Sequence, residues 1–232
     1  MRVLLHIISF LFALSTLSHA SSVIESKSNF PMISGKIRTT ITTGNETLME
    51  VARREGFGYE MLANSNRFVD PWNPKSGTKI ILPGNGIVPY GARTGLTINL
   101  AELRLFHIMN LKDGNYQINI YPLGIGRKGK GTPEGNFRII VKNERPRWRV
   151  PDGLREQDPS LPLVMSPGPQ NPLGDYWLGL SEHGYGIHGT NQPFGVGRRV
   201  SYGCMRMYPK DIATLYTCLL YTSDAADEVS PV

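Results

Sequence analysis

Strand-like alternation dominates the chain, and helical periodicity surfaces only in short stretches. "RTTITT", residues 38–43, alternates apolar and β-branched positions and predicts a short strand. "NETLMEVARREG" then brings Leu48, Val51 and Ala52 onto one helical face, with Glu46 in the first turn and Gly56 past the end. "GYEMLANSN" predicts a second short helix, and "DPWNPKSGTKIILPG" a Pro-rich turn running into a strand that stops at Pro83. After the Gly/Pro-rich "GNGIVPYGARTG" the pattern turns to strands. "LTINLAELRLFHIM" and "YQINIYPLGIG" are separated by Asp113-Gly114-Asn115, a hairpin signal, and "GNFRIIVKN" follows. Arg145 to Gly174 is a long Pro-rich stretch with little periodicity, a length that within a compact domain is often functional. "DYWLGL" and "YGIHGT" add two short strands. "PKDIATLY" reads as a late helix, with Pro209 suited to its first turn. The expected architecture is mostly β, with a small α/β unit ahead of an all-β sheet assembly.

Other segments set the boundaries. Residues 1–20 carry a basic Arg2, an apolar run from Val3 to Leu17 and the small-x-small Ser18-His19-Ala20, the form of a cleaved signal peptide. The run is short for a membrane span, so the chain is expected to be exported and not membrane-spanning after cleavage. Residues 21–37 are polar without apolar period and are expected to be a linker, 38–83 one unit, 84–95 a second linker, and 96–217 the main domain. "CLLYTSDAADE", Cys218 to Glu228, breaks the preceding pattern and resembles the peptide translated from a transposon adapter of a sequencing library. Residues 218–232 are therefore expected to be an artefactual tail.

Composition changes the picture in two ways. The 232 residues suffice for one large domain or two small ones, and 25 glycines with 17 prolines favour turns and strands over a helical bundle. The 25 basic against 19 acidic residues give a net charge of +6, which suits an anionic partner: nucleic acid, a membrane surface or a cell-wall polymer. Charge alone does not choose among them.

The candidate chemistry lies in "YGIHGTNQPFGVGRRVSYGCMRMYPKD", residues 185–211. With Cys218 in the suspect tail, Cys204 stands as the one cysteine of the ordered chain. It is either a packed small side chain or a thiolate nucleophile served by a nearby base. His188 is placed to be that base if the intervening "TNQPFGVGRRV" turns the chain back on itself. Arg198, Arg199 and Arg206 would add positive charge, Gly203 would let a substrate backbone approach, and backbone N–H groups around Cys204 could hold an oxyanion. One cysteine and one nearby histidine fall short of a metal site, and no phosphate-binding loop is present. Spacing alone leaves packing and chemistry both open.

Resemblance narrows the choice. "IHGTNQPFGVGRRVSYGCMRMYPKDI", with its His-Gly-Thr element and Ser-x-Gly-Cys-x-Arg, resembles the signature of YkuD-type L,D-transpeptidases. "AELRLF", "YPLGIGRKGKGTPEGNFRI" and "SPGPQNPLGDYWLGL" match upstream segments of the same family, so the likeness spans residues 96–216. Residues 38–83 resemble a LysM domain, a module that binds N-acetylglucosamine-containing glycans. Together they are similar to the ErfK/YbiS-like periplasmic branch, with Tyr202 where many members carry histidine. The resemblance implies a β-sandwich or barrel and a periplasmic enzyme that needs no cofactor or metal, and it implies a last strand after the late helix, so residues 96–217 are expected to be a catalytic domain truncated of that strand. It makes Cys204 the nucleophile, His188 the base and Gly189 the residue whose carbonyl orients the imidazole. Ser201, Gly203 and Arg206 would bind substrate or shape the site, and His183 would be a loop residue. The implied partners are peptidoglycan stem peptides and glycan, not nucleic acid. The acceptor would be a stem diaminopimelate amine, an outer-membrane lipoprotein lysine, or water. A non-catalytic wall-binding protein and a Cys–His protease or sortase-like enzyme are the competing readings.

Overall fold

The computed structural model describes residues 21–24, 33–92, 94–111, 115–221 and 228–231. The expected signal peptide, residues 1–20, lies outside them. Among the described residues no helix is long and apolar enough to cross a membrane.

The first part of the chain comprises β1 (Ser21–Ile24), β2 (Ile33–Ser34), β3 (Ile37–Ile41), α1 (Leu48–Glu55), α2 (Tyr59–Ser65), β4 (Lys79–Pro83) and β5 (Gly86–Ile87). β3 and β4 pair antiparallel, from Ile37↔Pro83 to Ile41↔Lys79, and the two helices cover one face. Leu48, Val51 and Ala52 are fully buried with Leu62, Ile80 and Leu82, so the helical face read from the sequence is the core face. Thr47 caps α1 through a reciprocal box with Glu50, and Gly56 closes it at φ 74°, where a side chain would be strained. The first-turn acid is thus Glu50. Glu46 sits before the cap, accepting from the Thr43 N–H and from Arg54. Buried Asn66 links the end of α2 to β4, donating to Leu62 O and Ile81 O and accepting from the Ile81 N–H.

Residues 21–37, expected as a linker, contain short strands. β1 pairs with a strand of the main sheet and β2 pairs with β5. Elements of two to four residues are too short to print a readable alternation.

The second part contains β6 (Gly95–Asn99), β7 (Arg104–Asn110), β8 (Tyr116–Pro122), β9 (Ile125–Gly126), β10 (Phe137–Glu144), β11 (Trp148–Arg149), α3 (Asp152–Gln157), β12 (Val164–Met165), β13 (Tyr176–Leu180), β14 (Gly186–His188), β15 (Arg199–Ser201), β16 (Met205–Arg206), α4 (Pro209–Tyr221) and β17 (Glu228–Pro231). The run "LTINLAELRLFHIM" is two strands, not one. The chain reverses between them through Leu103, which adopts φ 56°. β7 and β8 pair as the predicted hairpin, while residues 112–114 of its turn lie outside the described residues. The Pro-rich stretch is not structureless either, since β11 pairs with β12 and α3 lies between them.

Among the described residues nine strands form one sheet in the order β1-β8-β7-β6-β17-β10-β13-β14-β16. The chain leaving β8 reaches β16, where Gly124 and Arg206 exchange backbone hydrogen bonds of 2.8 Å. The sheet therefore curls until its far strand meets the continuation of β8. Its interior is filled by Leu96, Leu105, Leu123, Leu178, Ile187 and Met207, and α4 adds Ile212 and Leu215. Burying side chains of this size contributes about 1.5–3 kcal/mol each, which makes this cluster the main source of stability.

β17 lies in the stretch expected to be an artefactual tail. Residues 228–231 pair parallel with β6 and antiparallel with β10, so the sheet has a strand between them where none was expected. The local pattern of "EVSP" is too brief to announce a strand, and its partners on both sides are what define it.

The two parts meet backbone to backbone. A Cβ on Gly197, at φ 74°, would lie 2.2 Å from Gly58 Cα. The Glu60 N–H donates to Gly197 O at 3.1 Å, and Tyr208 Oη donates to Phe57 O at 2.9 Å. Gly197→Ala is expected to lower stability by about 2 kcal/mol or more, through left-handed strain and overlap with fixed backbone. Urea unfolding checks this against Gly153→Ala, where a Cβ meets nothing within 4 Å and no such loss is expected.

Candidate active site

The parallel pairing of β14 with β16 brings the distant halves of the sequence signature together. Ile187 faces Met205 and His188 faces Arg206 in register, which sets Cys204 at the start of β16 beside the end of β14. His188 and Cys204 line one cavity of about 680 Å³, together with Ser201, Tyr202 and Arg206.

His188 is 3% exposed. Its Nδ1 lies 2.5 Å from Gly189 O. A carbonyl only accepts, so Nδ1 carries the proton and Nε2 is left with a free lone pair. Burial, aided by the positive charge of Arg206, lowers the imidazole pKa to about 4, with backbone hydrogen bonds to Gly189 and Leu173 opposing. The Trp177 ring stacks on the imidazole at 5.7 Å and 25°, across the β13–β14 pair. Two glycines make room for that indole: a Cβ on Gly179 or Gly186 would lie 2.8 or 2.6 Å from it.

Cys204 is half-buried and unpaired to any cysteine, with Sγ 3.5 Å from Gly184 O. Burial raises the thiol pKa, while the Gly186 N–H and Arg206 pull it down by less. The loop before it is tied at both ends. Ser201 Oγ donates to Cys204 O at 2.6 Å and accepts from the Gly203 N–H at 3.1 Å. Thr132 Oγ1 donates to Gly203 O at 2.7 Å. Gly203 holds φ 116°, and a Cβ there would lie 2.5 Å from the Tyr185 ring, so the turn admits no side chain.

Several expectations change here. Arg198 and Arg199 bring no charge to the sulfur: Arg198 lies over the Tyr59 ring and Arg199 donates to Leu100 O. Of the three arginines singled out, Arg206 alone lines the cavity, and burial outweighs it, so the resting pair is a neutral thiol and a neutral imidazole. The Gly203 N–H is taken by Ser201 and is not a spare oxyanion donor. His183 sits in an exposed turn, apart from the cavity lining. Tyr202 packs its ring under the Arg127 guanidinium at 4.3 Å, which fixes the residue beside the nucleophile loop.

Trp177, Thr132 and Asn171 were not legible as site residues. Trp177 reads as an ordinary strand aromatic, Thr132 lies in a distant turn, and Asn171 acts through backbone. Fully buried Asn171 donates to Pro146 O and accepts from the Leu173 N–H, pinning the Pro-rich stretch over the cavity.

Residues 93–229 match the YkuD L,D-transpeptidase catalytic domain. Relatives named as L,D-transpeptidases include YcfS of Escherichia coli (strain K12), 35% identical over 74% of this chain and 55% of its own length. ErfK/SrfK of the same organism is 33% identical over 88% of this chain and 68% of its own length. YkuD of Bacillus licheniformis is 31% identical over 73% of this chain and 86% of its own length. The chain thus spans just over half of YcfS and about two thirds of ErfK/SrfK. A curled β-sheet that sets His-Gly-Thr beside Ser-x-Gly-Cys-x-Arg, and a domain match covering more than half the chain, place this protein in the YkuD family of L,D-transpeptidases.

Proposed function

We propose that this protein is an exported enzyme that transfers acyl groups within peptidoglycan through a thioester on Cys204. The observation that carries the reading is His188, whose Nδ1 proton is held by Gly189 O so that Nε2 is a free base in the cavity that holds Cys204. The neutral resting pair sets the order of events. Cys204 Sγ attacks the diaminopimelate carbonyl of a tetrapeptide stem while its proton passes to His188 Nε2. The C–N bond to D-alanine breaks, and the same proton leaves with the D-alanine amine. An acceptor amine then attacks the thioester, gives its proton to Nε2, and the thiolate takes that proton as it departs. Arg206 supplies positive charge beside the sulfur while the thiolate exists. Ser201 and Gly203 shape the turn that presents it.

The acceptor is a second stem's diaminopimelate amine, giving a 3→3 cross-link, or a lysine of an outer-membrane lipoprotein. Water in its place makes the enzyme a carboxypeptidase. The strand–helix–helix–strand order of β3, α1, α2 and β4 supports a LysM-like unit that holds glycan near the cavity. The apolar run of residues 3–17 and Ser18-His19-Ala20 support export to the periplasm. The break in composition at Cys218 supports an adapter origin for residues 218–232. Four of those residues join the sheet, so that reading concerns their source, and an uninterrupted genomic reading frame through Val232 would overturn it.

Incubation with tetrapeptide muropeptides, followed by mass spectrometry of the products, tests the function. Cross-linked dimers or tripeptide stems with released D-alanine are expected. Unchanged muropeptides alongside retained glycan binding would instead mark a wall-binding protein.

A further inference from the structure

The Pro-rich stretch does more than roof the cavity. It contributes Arg147, Trp148 and Arg149 to the lining, and no aspartate or glutamate lines the cavity among the described residues. The side chains of Arg147 and Arg149 have no hydrogen-bond or ion-pair partner among the described residues. Asp152, three residues past Arg149, is engaged by Arg155 at 3.4 Å. Arg206 in the same cavity has a buried Nε that also lacks an acceptor among the described residues. Three guanidinium groups on one cavity, without a counter-charge, are the complement of an anion.

The wall is also built in advance. Arg145 holds φ 50° and donates its N–H to Asp175 O at 2.6 Å. Asn171 Nδ2 binds Pro146 O at 2.9 Å and Ser166 O at 3.3 Å. β11 is locked to β12 by Trp148↔Met165 and Arg149↔Val164. Half-buried Trp148, between the two arginines, offers an apolar face to the aliphatic part of a substrate.

We propose that Arg147 and Arg149 form a carboxylate-recognition subsite that selects acyl donors or acceptor amines with free carboxylates over amidated ones. This rests on the acyl-transfer reading of the same cavity. The carboxylate can belong to the acyl donor or to the acceptor amine, and one experiment separates the two. Turnover is measured with a tetrapeptide donor whose free diaminopimelate carboxylate is present or amidated, and separately with glycine or glycinamide as acceptor.

The native chain is expected to prefer the free acid in one arm by about tenfold, the scale of one charge-assisted contact. The arm that discriminates names the source. Arg147→Gln with Arg149→Gln is expected to reduce that preference to within about twofold, the loss of such contacts. Arg67→Gln with Lys79→Gln removes the same charge from the first part of the chain and is expected to keep the preference. Turnover by the native chain without discrimination in either arm would overturn the subsite and leave the acyl-transfer reading standing. Equal loss of preference in both double variants would also overturn it, assigning the effect to net charge. No turnover at all by the native chain would overturn the acyl-transfer reading, and the subsite with it.

Discussion

Cys204→Ala is expected to reduce transpeptidation and D-alanine release by about a thousandfold or more, because Cys204 carries the one thiol lining the cavity among the described residues and the neighbouring Ser201 hydroxyl is committed to the turn. The variant is expected to unfold at the same urea concentration as the native chain to within about 1 kcal/mol, since a half-buried small side chain is replaced by another. The neighbouring contacts explain why the loss is chemical. Ser201 grips the backbone carbonyl of residue 204, and Thr132 grips that of Gly203, so the turn keeps its shape without the sulfur. HPLC of D-alanine release reads the first effect, and circular dichroism in urea the second. A variant that retained even a tenth of native turnover would remove Cys204 from the chemistry.

The second large effect is expected in acid. His107 and His188 are both buried, and burial lowers each pKa to about 4. His107 sits in β7 between Leu96 and Asn119, with neither ring nitrogen hydrogen-bonded among the described residues. An unfolded histidine titrates near about 6.5, so between that pH and about 4 the unfolded chain binds protons that the folded chain refuses. Stability is therefore fully present above the unfolded value and falls as the pH drops through this window. Each residue is expected to withdraw up to about 3 kcal/mol by the lower end. The two together are a large share of the roughly 5–15 kcal/mol that holds a domain folded. Urea titrations from pH 7 to pH 4.5 check the slope, and His107→Leu is expected to halve it. A stability flat across that range would show that both imidazoles accept protons freely in the folded chain.

Local chemistry explains which parts of this fold can be read from the sequence. α1 is legible because a capping box, a left-handed glycine and an apolar face all agree. The strands on both sides of the central hairpin are legible for a similar reason, since a turn signal separates two runs of alternation. β1, β2 and β17 are not, because each has too few residues to carry a period and is defined by its partner strands. The break at Leu103 is hidden for another reason: a leucine in left-handed backbone gives no compositional cue.

At the site, the Cys–His pair shows itself through a dense local motif, and Gly189 adjoins it. The supports do not show themselves. Trp177 reaches His188 by strand pairing, and Thr132 reaches Gly203 from another turn. The charges of Arg198 and Arg199 mislead because proximity along the chain is not proximity to the sulfur. Burial, which sequence does not display, pushes the thiol pKa up.

The central claim is that Cys204 carries the acyl group. Intact-protein mass spectrometry of the full chain, quenched during turnover of a tetrapeptide stem with no acceptor amine, measures this directly. The account predicts a single adduct with the mass of the tetrapeptide less D-alanine, mapped by digestion to Cys204 and lost in Cys204→Ala. Turnover without such an adduct, or an adduct on another residue, would contradict it.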